Sequence, residues 1–323
     1  MSNSTKPTQN SFAEDILEGL SDEPKRLSSK YFYDDEGSRL FQQIMKLPEY
    51  YLTRSEYEIF SRQTKDIFDA FEVEKGEFDL VELGAGDGTK TSLLVDYFLD
   101  HRAKFRYVPI DISSEALNFL TEKFHKEFPA LDMKTERGDY FKTLETFQEK
   151  FDRRKIILFL GSNIGNFSAE NARGFFSRIR EVMNDDDLIL IGFDLHKNPK
   201  TILNAYDDSQ GVTAKFNLNL LKRINRELDA DFNIEEFSHY ASYHPTECAA
   251  RSYLISQKEQ TVNIKALHKR FEFKMWEPIY MEVSQKYNLQ MIEDLADSSG
   301  FKIAKNFFDE NHFYTNSLWT PGT

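Results

Sequence analysis

The chain has 323 residues, with 41 Lys and Arg against 54 Asp and Glu, a net charge of −13 with His neutral. That balance, with no basic run, excludes a nucleic-acid binder, whose phosphate affinity needs clustered Lys and Arg; no apolar stretch approaches the roughly 20 residues of a membrane span. The single cysteine, Cys248, excludes an internal disulfide and a cysteine-based zinc site and points to a reducing, cytoplasmic setting. At 40% hydrophobic and 29% charged residues, the composition is that of a soluble globular protein, and the length predicts about two domains.

In chain order, residues 1–10 read as a polar, disordered tail with no signal-peptide core. Helical patterning follows at 12–20, 40–45 and 55–68, the last two separated by Pro48. From 78 the pattern changes. Strands are expected at 78–83, 105–111, 131–137, 155–160 and 188–194, and helices at 89–99, 114–127 and 168–183. This alternation predicts an α/β fold with a parallel sheet covered on both faces. Beyond Asp194 it stops. Residues 201–204, 214–228 and 234–240 look helical, and 251–256, 260–267 and 280–287 look like strands. A helix at 289–298 and strands at 301–308 and 313–319 then return the chain to the sheet. The expected organisation is a disordered tail (1–10), a helical arm (11–70), a sheet domain (71–196 with 288–323) and an insertion after the fifth strand (197–287) that joins the arm in a second domain.

The first chemically informative cluster runs from Val81 through Glu82, Gly84, Gly86, Gly88 and Lys90 to Thr91, placing three glycines between a strand and a helix. Glycines there permit a tight turn and let a ligand approach backbone N–H groups at a helix start. The spacing is G-x-G-x-G, not the G-x-G-x-x-G of dinucleotide folds, which leaves a nicotinamide oxidoreductase as the weaker reading. With Glu82 before it, the loop resembles the first motif of class I S-adenosylmethionine-dependent methyltransferases, a Rossmann-like fold. That resemblance implies that Gly84, Gly86 and Lys90 meet the amino-acid part of the cofactor, that Asp111 at the next strand end meets the ribose, and that Asp139 and Tyr140 meet the adenine. Taken singly, the glycines are a turn and either aspartate a helix cap. Arriving in order at successive strand ends, where such sheets bind ligands, they carry more weight.

The second cluster, Gly161-Ser162-Asn163-Ile164-Gly165-Asn166, follows the fourth strand. It joins Lys30-Tyr31-Phe32-Tyr33-Asp34, Leu47-Pro48-Glu49-Tyr50-Tyr51, Ala205-Tyr206-Asp207-Asp208, Gly211-Val212-Thr213-Ala214 and Glu282-Val283-Ser284-Gln285-Lys286-Tyr287. Together these motifs, from about residue 12 to 320, resemble the histidine-specific methyltransferase family. The resemblance implies transfer of methyl groups from S-adenosylmethionine to the α-amino group of L-histidine, three in all, giving trimethylhistidine (hercynine) as in ergothioneine biosynthesis. It assigns the substrate carboxylate to Tyr50 and Tyr206, the α-amino group to Asn166 with Tyr33 nearby, and the imidazole to Glu282 and Ser284. Ser252 stands where some members have a larger apolar residue. No metal is implied, and a monomer acting on a small molecule, without nucleic-acid or membrane partners, is expected.

Plainer readings stand beside these. A tyrosine is commonly a core residue, Glu282 an exposed cross-strand partner, Asn166 a helix cap. The alternatives in function are an N-methyltransferase of another amino acid, such as an indole-bearing one, and a non-catalytic cofactor-binding regulator.

Overall fold

The computed structural model describes residues 9–138 and 153–322. They divide into two units, one of residues up to Tyr50 with Asn198–Ser284, the other of Tyr51–Lys197 with residues from Gln285 onward. Gln9 and Asn10, expected in the disordered tail, begin the first helix instead; the rest of the tail, and Asp139 and Tyr140, lie outside the described residues.

Three helices come first, α1 (Gln9–Ser21), α2 (Asp35–Ile44) and α3 (Tyr51–Ala70). Leu52, Ile59, Phe60 and Ile67 line one face of α3 and are buried, and the last three join the core of the sheet. That apolar stripe places α3 with the larger unit and not with the helical arm to which 11–70 was assigned.

The larger unit continues with β1 (Phe78–Leu83), α4 (Thr91–Asp100), β2 (Phe105–Asp111), α5 (Ser114–Glu127) and the two-residue strands β3 (Asp132–Met133) and β4 (Glu136–Arg137). The expected single strand at 131–137 is thus two short pieces at the sheet edge, both paired to β2. Next come β5 (Arg154–Phe159), α6 (Ala169–Val182) and β6 (Leu188–Asp194). β1 pairs in parallel with β2 and β5, and β5 with β6. Every residue of β1, β5 and β6 is buried, as continuous apolar runs require when helices cover both faces. Alternate residues serve opposite layers: Val81, Ile157, Phe159 and Ile191 pack with α6, while Leu80, Ile156, Leu158 and Leu190 pack with α3, α4 and α5.

The smaller unit takes α1, α2 and the elements after Lys197: α7 (Pro199–Tyr206), α8 (Val212–Leu228), β7 (Phe237–His244), β8 (Ala249–Ser256), β9 (Gln260–Ile264), β10 (Lys269–Phe273) and β11 (Pro278–Gln285, its last residue in the larger unit). The strands form a three-stranded sheet in the order β11-β8-β7 and a separate β9/β10 hairpin. Residues 234–240, expected to be helical, form instead a 3-10 turn at Ile234–Glu236 and the start of β7. The reason is a period of two: Phe237 and Ala241 are buried while Tyr240 is exposed, and the strand pairs antiparallel with β8 along its whole length. β10 was not expected, although Phe271 and Phe273 alternate with exposed Arg270 and Glu272. β9 ends at Ile264, where 3-10 residues Lys265–Leu267 replace the rest of the expected 260–267 strand.

In the larger unit α9 (Leu289–Ser298), β12 (Phe301–Phe308) and β13 (Tyr314–Pro321) complete the sheet, with β13 antiparallel to both β6 and β12. The order is β12-β13-β6-β5-β1-β2-β3. The strand order reverses direction between β1 and β5, the position at which open α/β sheets bind ligands beyond their carboxyl ends.

Candidate active site

Three loops at those carboxyl ends hold the larger unit's candidate residues. After β1, Gly84, Gly86 and Gly88 have φ of 76°, 55° and 62°. Gly88 is fixed by crowding as well, since a Cβ there would lie 2.3 Å from Leu120 Cδ1. Gly86 meets nothing within 4 Å, so its side of the turn is open to a ligand. The Gly86 N–H donates to Asp111 Oδ2 at 3.2 Å, and Asp111 Oδ1 accepts from Ser113 N–H at 2.9 Å. Burial pushes the Asp111 carboxyl above its ordinary value. Asp111 does not cap α5; Ser113 does, accepting from Ala116 N–H at 3.2 Å.

Glu82, at the end of β1, is 2% exposed and accepts from Thr91 Oγ1 at 2.7 Å and from the Tyr107 hydroxyl. Burial raises its pKa to about 7 despite these donors. It pins the loop's two ends, the strand before it and the helix after it.

Lys90 is engaged within the protein. Its ammonium pairs with the Glu56 carboxylate on α3, which is 1% exposed. Glu56 also accepts from Gly161 N–H at 3.0 and 3.1 Å and from Tyr314 OH at 3.1 Å. One carboxylate therefore joins the glycine loop, the loop after β5 and β13. Sequence reading missed Glu56, and the signal was available: an acid sits on the helix face of Leu52, Ile59 and Phe60, where only a partnered charge is tolerated.

After β5, Ser162 adopts φ 56° and opens a 3-10 turn, Asn163–Asn166. Ser162 Oγ accepts from Asp194 N–H at 3.1 Å. Asn166 ends the turn exposed, and the cap of α6 is Ser168, which accepts from Asn171 N–H at 3.2 Å. The plain cap reading of Asn166 is thereby removed.

The smaller unit gathers the other candidates in two groups. The half-buried Tyr33 ring lies 5.4 Å from Phe41 and 5.6 Å from Phe216, and Phe41 lies 6.2 Å from Tyr50, so the two tyrosines share one aromatic cluster. Tyr206, at the end of α7, donates its hydroxyl to Ser284 Oγ at 2.7 Å, with both residues buried. Glu282 precedes Ser284 by two residues on β11 and is half-buried. Asp208, in the loop after Tyr206, reaches forward to the start of α8, accepting from Val212 N–H at 2.9 Å and Thr213 N–H at 2.7 Å. Ser252, opposite Ala241, is 1% exposed. Among the described residues no group of three His, Cys, Asp or Glu side chains could hold a metal ion, and no helix is long and apolar enough to cross a membrane.

Residues 12–321 match the family described as histidine-specific, S-adenosylmethionine-dependent methyltransferases. The chain belongs to that family. It is 35% identical to the histidine N-alpha-methyltransferase of Mycobacterium tuberculosis over 92% of this chain and 90% of that one. It is 28% identical to ergothioneine biosynthesis protein 1 of Schizosaccharomyces pombe over 87% of this chain and 37% of that longer protein. The L-tryptophan methyltransferase trpM of Psilocybe serbica is 26% identical over 93% and 90% of the two chains. Among solved structures, the mitomycin 7-O-methyltransferase MmcR matches at TM-score 0.50 and 11% identity, over 98% of this chain and 69% of its own, which establishes the shared class I fold.

The methyltransferase uses S-adenosylmethionine, and its first loop fits that molecule on its own chemistry. Beside that loop lie the open face of Gly86, suited to close backbone approach, the Asp111 carboxylate, which can accept from hydroxyls besides its two backbone N–H groups, and the Lys90 ammonium, which Glu56 already engages.

Proposed function

We propose that this methyltransferase acts on the α-amino nitrogen of L-histidine and transfers three methyl groups, giving trimethylhistidine as in ergothioneine biosynthesis. The observation that carries the reading is the buried Tyr206–Ser284 hydrogen bond of 2.7 Å beside Glu282. It couples a phenol suited to the substrate carboxylate with a hydroxyl and carboxylate suited to the two ring nitrogens of imidazole. An indole carries one N–H and no acceptor, so it would leave part of this set unmatched, at a cost that rejects it. This favours histidine over the tryptophan of the Psilocybe relative.

Bound S-adenosylmethionine supplies a methyl group on a sulfonium, activated without help from the protein. The chain's task is therefore alignment and protonation, and alignment alone is worth up to roughly 7–11 kcal/mol. In this reading Tyr50 donates to the substrate carboxylate, Tyr206 turns its single hydroxyl proton from Ser284 to the same carboxylate when substrate binds, and Asn166 accepts from the α-amine, directing its lone pair. A free α-amino group has a pKa of about 8, so a neutral fraction exists near neutral pH without a strong base. The proton leaves to water, either directly or by relay through Tyr33, which passes on its own hydroxyl proton as it takes one. The Tyr33, Phe41, Tyr50 and Phe216 rings suit a product nitrogen that becomes permanently cationic. The same reading assigns substrate recognition to the smaller unit, with Asn166 and the cofactor in the larger, and has the enzyme work as a cytoplasmic monomer on a small zwitterion, without a nucleic-acid or membrane partner.

The test is incubation with S-adenosylmethionine and an equimolar mixture of the twenty amino acids, read by mass spectrometry. The expected product is histidine plus about 42 mass units, three methylenes. Methylation of another amino acid, or of none, would reject the reading, and a product stopped at one or two methyls would reject trimethylation alone.

A further inference from the structure

The chain passes between the two units three times, at Tyr50/Tyr51, Lys197/Asn198 and Ser284/Gln285. On the larger unit's side, all three passages are tied to one side chain. Asp194, the last residue of β6, is 0% exposed and accepts from the Tyr51 hydroxyl at 2.8 and 3.0 Å, from Lys286 Nζ at 2.8 Å and from Lys197 Nζ. Lys197 Nζ also donates to Tyr51 OH at 2.9 Å, so two of the three groups are bonded to each other as well. The backbone repeats the arrangement: Tyr287 N–H donates to Asp194 O at 2.9 Å, and His196 N–H to Tyr287 O at 2.9 Å. Asp194 N–H in turn holds Ser162 Oγ, at the start of the turn that ends in Asn166.

These ties have no part in the alignment chemistry above, and they are expensive. Taking one carboxylate and two ammonium groups out of water costs several kcal/mol per ion before pairing. Burial pushes the Asp194 carboxyl up, but Lys286 and Lys197 outweigh it and hold it below the ordinary carboxylate value. For Lys197 burial wins: it outweighs the pull of Asp194 and lowers the ammonium to about 8, with Lys286, a second cation on the same carboxylate, adding a smaller push in the same direction. An apolar cluster would have filled this space at less cost. What ions add is direction, since each donor has one position that satisfies it.

We infer that Asp194 is a positioning residue for methyl transfer: within the larger unit it holds Tyr51, Lys197 and Lys286 in one arrangement with the Ser162–Asn166 turn. Tyr51 follows Tyr50 in the chain, Lys286 follows Ser284 by two residues, and Ser162 precedes Asn166 by four. Tyr50 and Ser284 are thus within two residues of a side chain fixed on this carboxylate, and Asn166 closes the turn that Ser162 opens. A displacement near 1 Å in the Ser162–Asn166 turn would move the amide proposed to direct the amine, and misplacement of that size costs roughly 100-fold in rate.

The catalytic part of this inference rests on the histidine reading; the structural part does not. Asp194→Ala would leave two buried ammonium groups unpaired and is a poor test. Tyr51→Phe removes one hydroxyl, keeps the ring against Phe313 and leaves both ion pairs in place. Two measurements on this variant decide. In amide hydrogen exchange of the ligand-free protein, the 194–197 and 286–288 segments are expected to exchange faster together, by roughly tenfold for a lost charge-assisted bond, with β1 unchanged. In turnover, kcat/KM for histidine is expected to fall by at least a similar factor while the S-adenosylmethionine Kd stays within about twofold. Faster exchange confined to the first turn of α3, or equal loss for both ligands, would overturn the inference. If the wild-type protein leaves histidine unmethylated, the histidine reading fails, and exchange alone then decides whether Asp194 couples the two segments.

Discussion

The two units solve the burial of polar groups in opposite ways. The larger unit buries Glu56, Asp79, Glu82, Arg154, Lys155, Asp187, Asp194, Lys286 and Asp309, and most are bonded to a charge or a donor elsewhere in the chain. Among the described residues of the smaller unit, the buried polar set is Ser252, Ser256, Ser284, Thr213, Asn217 and Asn219, with Asp208 as the one buried charge, spent on the N–H groups that open α8. Fixed charges give the larger unit a frame whose loops have one satisfied arrangement each. The smaller unit instead buries neutral hydroxyls and amides, which suits the proposed zwitterionic substrate, whose nitrogen would gain a permanent charge as methyls are added, with the half-buried Glu282 as the charged group proposed for the ring.

The comparison is broken most severely at a charge that touches no ligand-binding loop. Lys155 and Asp187 pair at 2.8 Å with side chains 2% and 0% exposed, and Asp187 also accepts from Lys155 N–H at 2.6 Å and Asn184 N–H at 2.7 Å. Asp187→Ala strands the ammonium, and denaturant unfolding is expected to show a loss of about 3–5 kcal/mol. A loss below about 1 kcal/mol would mean that the frame does not depend on its buried ions.

Glu82 gives a smaller effect with a definite sign. Its folded pKa of about 7 lies above its ordinary value near 4.5, so the folded state binds more protons between the two. The group's contribution is fully present below about pH 4.5 and is lost as pH rises through 7. Glu82→Gln keeps the shape and removes this titration. The stability of the variant relative to wild type should therefore rise by on the order of 2–3 kcal/mol between pH 5 and pH 8. Parallel stability profiles would show that Glu82 is not held protonated by burial.

How much of this was legible in the sequence follows the same division. β1, β2 and β6 announce themselves as apolar runs ending in an acid, Glu82 within β1 and Asp111 and Asp194 at the strand ends. β7 did not, because Ser238, His239, Ser242 and Tyr243 dilute its period of two until Phe237 and Ala241 are seen buried. In the site, Tyr206 and Ser284 could be named singly, but they are 78 residues apart and only the fold makes their hydrogen bond. Glu56 could have been suspected from its place on the apolar face of α3, but its bonds to Gly161 and Tyr314, 105 and 258 residues away, could not, and Asp194 joins the nearby Lys197 to Tyr51, 143 residues away, only once the chain folds. Lys90 shows the converse, a residue assigned to the cofactor whose ammonium the fold also gives to Glu56.

If recognition of histidine resides in the smaller unit and the cofactor in the larger, the two affinities must be separable by one substitution. Glu282→Ala tests this by equilibrium binding of each ligand alone. The expected result is a loss of about 1–3 kcal/mol for histidine, the value of a hydrogen bond to a charged group, with S-adenosylmethionine affinity unchanged. Equal losses for both ligands, or none for histidine, would contradict the account.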